Sequence, residues 1–210
     1  MNLVLLGVSG AGKGTQAKKL SKHYEIPHIS TGDILREHMR DETELGVAIQ
    51  NIMDTGNLVA DDIMIELVEE RIKQDDCKNG YILDGFPRTL YQAKALENFA
   101  DIDKAIYVKV DDKVVIERLT GRVVCPKCSA MYHIKKFPPK TMGICDVCNT
   151  NLVQREDDKA ETVLDRLNIF HELTEPIIDF YAQKSKLFTV DGTADVCEIK
   201  DSIIAILGEK

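Results

Sequence analysis

Between Gly7 and Thr15 the chain reads Gly-Val-Ser-Gly-Ala-Gly-Lys-Gly-Thr, with glycines at 7, 10, 12 and 14 and a lysine at 13. Glycines let a backbone wrap closely around an anion. Wrapped that way, the N–H groups point inward and a following helix N-terminus adds positive potential. Lys13 then supplies a mobile charge for the β- and γ-phosphates of a nucleotide. The strict pattern G-x-x-x-x-G-K-[ST] is not met, because position 14 is glycine and the hydroxyl arrives one residue later, at Thr15. A tight turn that binds nothing has no use for the lysine, and a GxGxxG dinucleotide turn does not require its charge. A second constellation lies downstream. Cys125-Pro-Lys-Cys128 and Cys145-Asp-Val-Cys148 stand sixteen residues apart, within the spacing of a tetrahedral zinc site. Cys77 and Cys197 have no partner at ligand spacing and read as buried or idle thiols.

A phosphate loop has to sit between a strand and a helix, and the flanking sequence supplies both. Residues 2–6 are short, continuous and apolar, as in a fully buried strand, and a helical pattern follows through Ala17, Leu20 and Tyr24. Short apolar strands recur at residues 27–29, 81–83, 105–110 and 187–190, separated by helical stretches such as the one from Ile63 to Ile72. Strands alternating with helices predict right-handed βαβ units, hence an α/β fold with a parallel sheet and helices on both faces. Val196, Ile199, Ile203 and Leu207 predict a closing amphipathic helix. Asp84 falls at the end of an apolar strand, at the carboxyl edge where open α/β sheets bind ligands. Residues 121–158 break the rhythm: they hold prolines, the four paired cysteines and scattered aromatics, with too few large apolar residues for a core. A region of that size needs a staple, and a structural zinc supplies one.

Composition narrows the classes. The 210 residues are 44% hydrophobic and 30% charged, with a net charge of −8, which suits a folded globular chain and disfavours general nucleic-acid binding. No apolar run reaches the roughly 18 residues of a membrane helix, and the apolar start has no basic leader of a signal peptide.

Further motifs then fall into line: Gly12-Lys13-Gly14-Thr15-Gln16, Ser30-Thr31-Gly32-Asp33-Ile34-Leu35-Arg36, Asp84-Gly85-Phe86-Pro87-Arg88-Thr89 with Gln92, Arg118-Leu119-Thr120-Gly121-Arg122, and Asp157-Asp158 followed by Glu161-Thr162-Val163 and Arg166. In this order, over nearly the whole chain, they resemble the adenylate kinase family. The cysteine pairs look like its long-lid bacterial form, whose lid holds a structural zinc. The resemblance implies a P-loop NTPase-like parallel sheet with helices on both faces, built from residues 1–29, 60–120 and 159–210. To it are added a small helical segment for a nucleoside monophosphate at 30–59 and a zinc-stapled lid at 121–158. It implies reversible transfer of the γ-phosphoryl group of Mg-ATP to AMP, giving two ADP. ATP, AMP and ADP are then the partners, Mg²⁺ and structural Zn²⁺ the metals, and the expected enzyme is a cytoplasmic monomer without nucleic-acid or membrane partners.

The same resemblance assigns roles. Lys13, Arg88, Arg122, Arg155 and Arg166 are implied to carry the phosphoryl transfer, with Asp84 holding the hydration shell of Mg²⁺. Gly10, Ala11, Gly12, Gly14 and Thr15 join Lys13 around ATP, with Arg118, Arg122, Met131, Tyr132 and Ala194 completing that half. AMP is implied to meet Thr31, Arg36, Asn57, Leu58, Val59, Gly85, Phe86, Pro87, Arg88 and Gln92, with Arg155 and Arg166 bridging from above. Cys125, Cys128, Cys145 and Cys148 are the zinc ligands. Guanidinium forks match phosphate geometry bidentately, and an acceptor phosphate already ionised at pH 7 needs no general base. Two departures stand out: Ser9 occupies a place where family loops often have proline, and Val123 stands where a second arginine commonly follows.

Several readings stay open at this point. Asp84 could serve as a structural acceptor for backbone N–H groups. Asp157 and Asp158 could cap the helix that starts near Ala160 or pair with the arginines, and Tyr132 could cover ATP or belong to the lid core. His28, His133 and His171 are conceivable ligands, but four thiolates already complete a tetrahedral zinc. A kinase for UMP, CMP or GMP would use the same phosphate machinery. A zinc ribbon with Lys127, Lys135, Lys136 and Lys140 would bind nucleic acid or protein instead.

Overall fold

A computed structural model describes residues 1–209, so Lys210, the end of the expected core range, lies outside the described residues. Five parallel strands form one sheet: β1 (Asn2–Leu6), β2 (His28–Ser30), β3 (Tyr81–Asp84), β4 (Lys104–Lys109) and β7 (Leu187–Asp191), in the order β2-β3-β1-β4-β7. The strands expected from sequence are all present, within a residue or so of their expected bounds. The buried character of β1 has a simple cause. Leu3 and Leu5 face one hydrophobic cluster, while Val4 and Leu6 face the other, so both sides of the strand need apolar residues. Helices α1 (Lys13–Tyr24), α6 (Asp112–Thr120), α7 (Ala160–Ile169) and α9 (Val196–Leu207) cover the first face. Helices α4 (Asp61–Ile72), α5 (Leu90–Leu96) and α8 (Pro176–Gln183) cover the second, joined by α2 (Thr31–Arg40) and α3 (Glu44–Asp54) from the helical segment.

The topology fixes where a ligand can enter. The chain leaving β1 runs through α1 to the edge strand β2, whereas the chain leaving β3 runs through α5 to β4 on the far side of β1. Neighbouring strands whose connections part in this way open a crevice at their carboxyl ends. Leu5 pairs with Asp84 at that edge. Between α6 and α7 the two short antiparallel strands β5 (Arg122–Val124) and β6 (Met131–His133) belong to a separate small sheet. Among the described residues, no helix is long and apolar enough to cross a membrane.

Candidate active site

A cleft of about 470 Å³ opens over the carboxyl edge of the sheet, between α2–α3 on one side and the 121–158 insertion on the other. Its floor is the glycine loop. Gly12 caps α1 with φ +101°, and nothing lies within 4 Å of where a side chain would begin. No side chain caps α1 and no acid occupies its first turn, whereas α9 carries a full capping box from Asp195 and Glu198. The first N–H groups of α1 are therefore left for an anion. Lys13 Nζ donates to the carbonyls of Gly7 (2.7 Å) and Val8 (3.1 Å). Burial pushes its ammonium down to about 8, against the pull of the Asp84 carboxylate.

Asp84 is buried at the end of β3, with Oδ2 3.2 Å from His28 Nε2. Burial alone would raise its carboxyl; the hydrogen bond from His28 and the charge of Lys13 outweigh this and hold it below the usual carboxylate value. Gly14 comes so close that a methyl group there would sit 3.3 Å from Asp84 Oδ2.

The wall on the α2–α3 side carries Thr31, Arg36, Asn57, Leu58, Val59, Gly85, Arg88 and Gln92, all lining the cleft. Ser30 caps α2 by accepting from Asp33 N, which sets Asp33 to receive Arg36 Nη2 at 2.7 Å. Arg88 Nε donates to Gly85 O at 2.9 Å, and its own carbonyl accepts from Thr174 Oγ1 at 2.8 Å. Burial, followed by repulsion from Arg166, brings Arg88 down to about 10.

The opposite wall is also cationic. Arg122 Nε donates to Asp158 Oδ2 at 2.7 Å while its Nη2 takes Oδ1, a fork on a carboxylate with no exposed surface. Arg166 Nη1 reaches Asp157 Oδ2 (2.9 Å) and Asp158 Oδ1 (3.3 Å). Helix α7 has no side-chain cap, so of the two readings for Asp157 and Asp158 the pairing one holds. Arg155 lies 3.9 Å from Asp33, and its buried Nε has no partner. Burial and then the charges of Arg36 and Arg122 bring it down to about 10. Arg118 Nη1 donates to Ala11 O (3.2 Å) and its Nη2 to Gly192 O (2.9 Å), tying the glycine loop to the turn that holds Ala194.

Within the insertion the two cysteine pairs adopt matching turns. Ser129 N donates to Cys125 O and Asn149 N to Cys145 O, each from a residue with positive φ near 60°. The four Sγ atoms lie within 4.8 Å of one another. A Zn–S bond of about 2.3 Å sets a tetrahedral edge of about 3.8 Å, so this donor set fits a closed zinc site. Tyr132 lines the cleft, and its hydroxyl accepts from Asp146 N at 2.9 Å beside Cys145. His133 is fully engaged elsewhere, with Nδ1 accepting from Lys135 N and Lys136 N and Nε2 against Glu117 O.

Nearly every residue singled out in the sequence lines this cleft, Met131 and the six loop residues 10–15 included. Phe86 and Pro87 do not. The Phe86 ring is in the core at 1% exposure, and Pro87 borders a smaller cavity behind the glycine loop. The sequence reading missed Asp33, Asp61 and the pairing of His28 with Asp84. Asp33 stands inside a motif and Asp61 opens a helix, but a lone acid at a helix start carries no signal beyond charge.

The chain also resembles known proteins. A family model described as adenylate kinase matches residues 5–186. The protein named adenylate kinase of Clostridium perfringens (strain SM101 / Type A) is 52% identical, with 99% of each chain covered. Those of Caldicellulosiruptor saccharolyticus and Clostridium tetani are 50% and 49% identical, again over 99% of each chain.

Proposed function

Since the chain belongs to the adenylate kinase family, we propose that the cleft holds Mg-ATP and AMP end to end, each phosphate chain reaching the glycine loop and the arginines from its own side. The enzyme is a nucleoside monophosphate kinase: it moves the γ-phosphoryl group of ATP to an oxygen of the AMP phosphate and releases two ADP, reversibly. One observation carries the residue assignment. Arg36, Arg88, Arg122, Arg155 and Arg166 converge with Lys13 on one cleft of a chain whose net charge is −8, and burial lowers several of them. The carboxylates of Asp33, Asp84, Asp157 and Asp158 offset part of this charge, and a polyanionic ligand is suited to offset the rest.

The division of labour we propose follows the family pattern on these walls. The loop 10–15 and Lys13 cradle the β- and γ-phosphates, and bound phosphate further favours the charged ammonium that burial disfavours on Lys13. Arg118, Met131, Tyr132 and the Ala194 turn border the ATP base, while Thr31, residues 57–59 and Gln92 border the AMP base. Arg36 and Arg88 clamp the AMP phosphate. Arg122, Arg155 and Arg166 stabilise charge on the group in flight, a task that in analogous arginine fingers contributes about 10³-fold or more to turnover. The attacking oxygen is already ionised, so positioning and charge neutralisation suffice. Mg²⁺ bound with ATP would neutralise phosphate charge, and Asp84 would hold its hydration shell. The lid closes over the pair and excludes water, which would otherwise accept the phosphoryl group.

We place the enzyme in the cytoplasm as a monomer, with zinc on the four cysteines. Four thiols at ligand spacing suit a reducing compartment, and one chain supplies both walls of the cleft. The deciding experiment mixes the protein with Mg-ATP and each of AMP, GMP, CMP and UMP and follows products by phosphorus NMR. Two ADP per AMP is expected. Strong preference for any other monophosphate would overturn the reading of the base pocket.

A further inference from the structure

Gln92 is 2% exposed yet lines the cleft, and both ends of its amide are spoken for. Nε2 donates to Asp61 Oδ1 at 2.8 Å, and Oε1 accepts from the backbone N–H of Arg88 at 2.7 Å. The two partners agree on the orientation. A carboxylate only accepts and a backbone N–H only donates, so reversing the amide would set donor against donor and acceptor against acceptor. Asp61 does more than receive this bond. Its Oδ2 accepts from Thr89 Oγ1 at 3.0 Å, and that hydroxyl in turn accepts from Gln92 N as the cap of α5. One carboxylate at the start of α4 thus holds both the side chain of Gln92 and the turn that presents it.

We propose that Asp61 is a specificity-positioning residue: with the backbone N–H of Arg88 it locks the Gln92 amide in one orientation, and that orientation selects the base of the monophosphate. The proposal rests on the placing of Gln92 at the AMP base. With the amide fixed, one N–H on Nε2 and one lone pair on Oε1 remain, in a set spatial order. Adenine presents an amino donor beside a ring acceptor, and guanine presents a carbonyl acceptor beside a ring N–H donor. The two bases therefore require opposite orders from an amide partner, and a freely flipping glutamine would serve either. A locked glutamine serves one, and the mismatched base leaves a buried donor facing a donor. Asp61 itself does not line the cleft.

The test compares kcat/KM for AMP and for GMP in the wild type, Asp61→Ala, Gln92→Ala and the double variant. Asp61→Ala should lower the AMP-to-GMP ratio about tenfold or more, raise KM for AMP and leave KM for ATP in place. In the Gln92→Ala background the same substitution should leave the ratio unchanged, because its route to the base is gone. An unchanged ratio in folded Asp61→Ala, or an equal drop in both backgrounds, overturns the proposal. Asp61→Ser provides a second readout if the alanine variant does not fold; it keeps a polar helix start but withdraws the carboxylate from Gln92. A wild-type ratio in Gln92→Ala fails the placing of Gln92 itself, which separates that failure from a failure of Asp61.

Discussion

The two walls that close over the cleft are built by different physics. The α2–α3 wall borrows its stability from the core: Leu35, Ile49 and Val59 are 4%, 2% and 5% exposed and share one apolar cluster with Val4 and Leu6 of β1 and Ile29 of β2. The lid borrows almost nothing. None of the described side chains from 121 to 158 belongs to either core cluster, and Phe137, Met142 and Val147 are left exposed. In the lid, order comes from two cysteine turns that face one another and from the Arg122–Asp158 fork at its root. A moving element can therefore be rigid inside without being anchored to what it covers, provided its staple is local. The α2–α3 wall cannot loosen without disturbing the core, whereas the lid can.

Metal removal should test this difference hardest. Structural zinc sites contribute about 10–16 kcal/mol in apparent terms, and here that stabilisation falls on a region with little apolar burial of its own. Chelation should erase amide-exchange protection across residues 122–153 and leave the sheet and α2–α3 at their original rates. Loss of protection that spreads at once into β1, β3 or α3 would break the contrast, because it would make the lid part of one cooperative unit.

The converse substitution is Ile49→Ala. Ile49 is in α3, far along the chain from the sheet, but it packs in the shared cluster. Removing a buried isoleucine side chain costs about 2–5 kcal/mol, and here the cost should appear as a lower global Tm, since α3 has no stability separate from the core. Exchange within the lid should stay as it was below the transition. A local loosening of residues 44–59 with Tm unchanged would show that both walls are independent after all.

How far the sequence revealed this design varies with the physics involved. The sheet was legible because buried parallel strands need unbroken apolar runs and the helices between them need a 3.6-residue stripe. The phosphate loop was legible because only a glycine-dense turn with a lysine does that work. The staple was visible as spacing. The lid's short strands β5 and β6 were not: three residues each, with little alternation, give no pattern above background. The carboxylates that hold the arginines were harder still, since Asp158 pairs with Arg122 across thirty-six positions and nothing local marks it out from a capping acid. Asp61 shows the limit most clearly, because its role depends on two partners about thirty residues away.

The smallest effect lies where the two walls meet. Asp54 ends α3, opposite Glu156 and Asp157 at the far root of the lid, with Lys159 partly compensating. Burial first, and then those two acids, hold its carboxyl above the ordinary 3.8. The sign follows from proton binding. Between the ordinary and the raised value the folded chain holds more protons than the unfolded one, so stability falls as pH rises through that window. At pH 7 the penalty is fully present. Asp54→Asn removes it while keeping the shape, and the gain should be about a few tenths of a kcal/mol at low salt, since the group is only partly buried and the repulsion is screened. Denaturant midpoints at pH 7 should show that gain, and 1 M salt should remove only the part owed to Glu156 and Asp157. Amide exchange gives the sharper reading: slower exchange at both the end of α3 and residues 156–158 means that the walls are coupled through this contact. Slowing at α3 alone would mean that repulsion is felt only by the wall anchored to the core, and the lid's independence would then extend to its hinge.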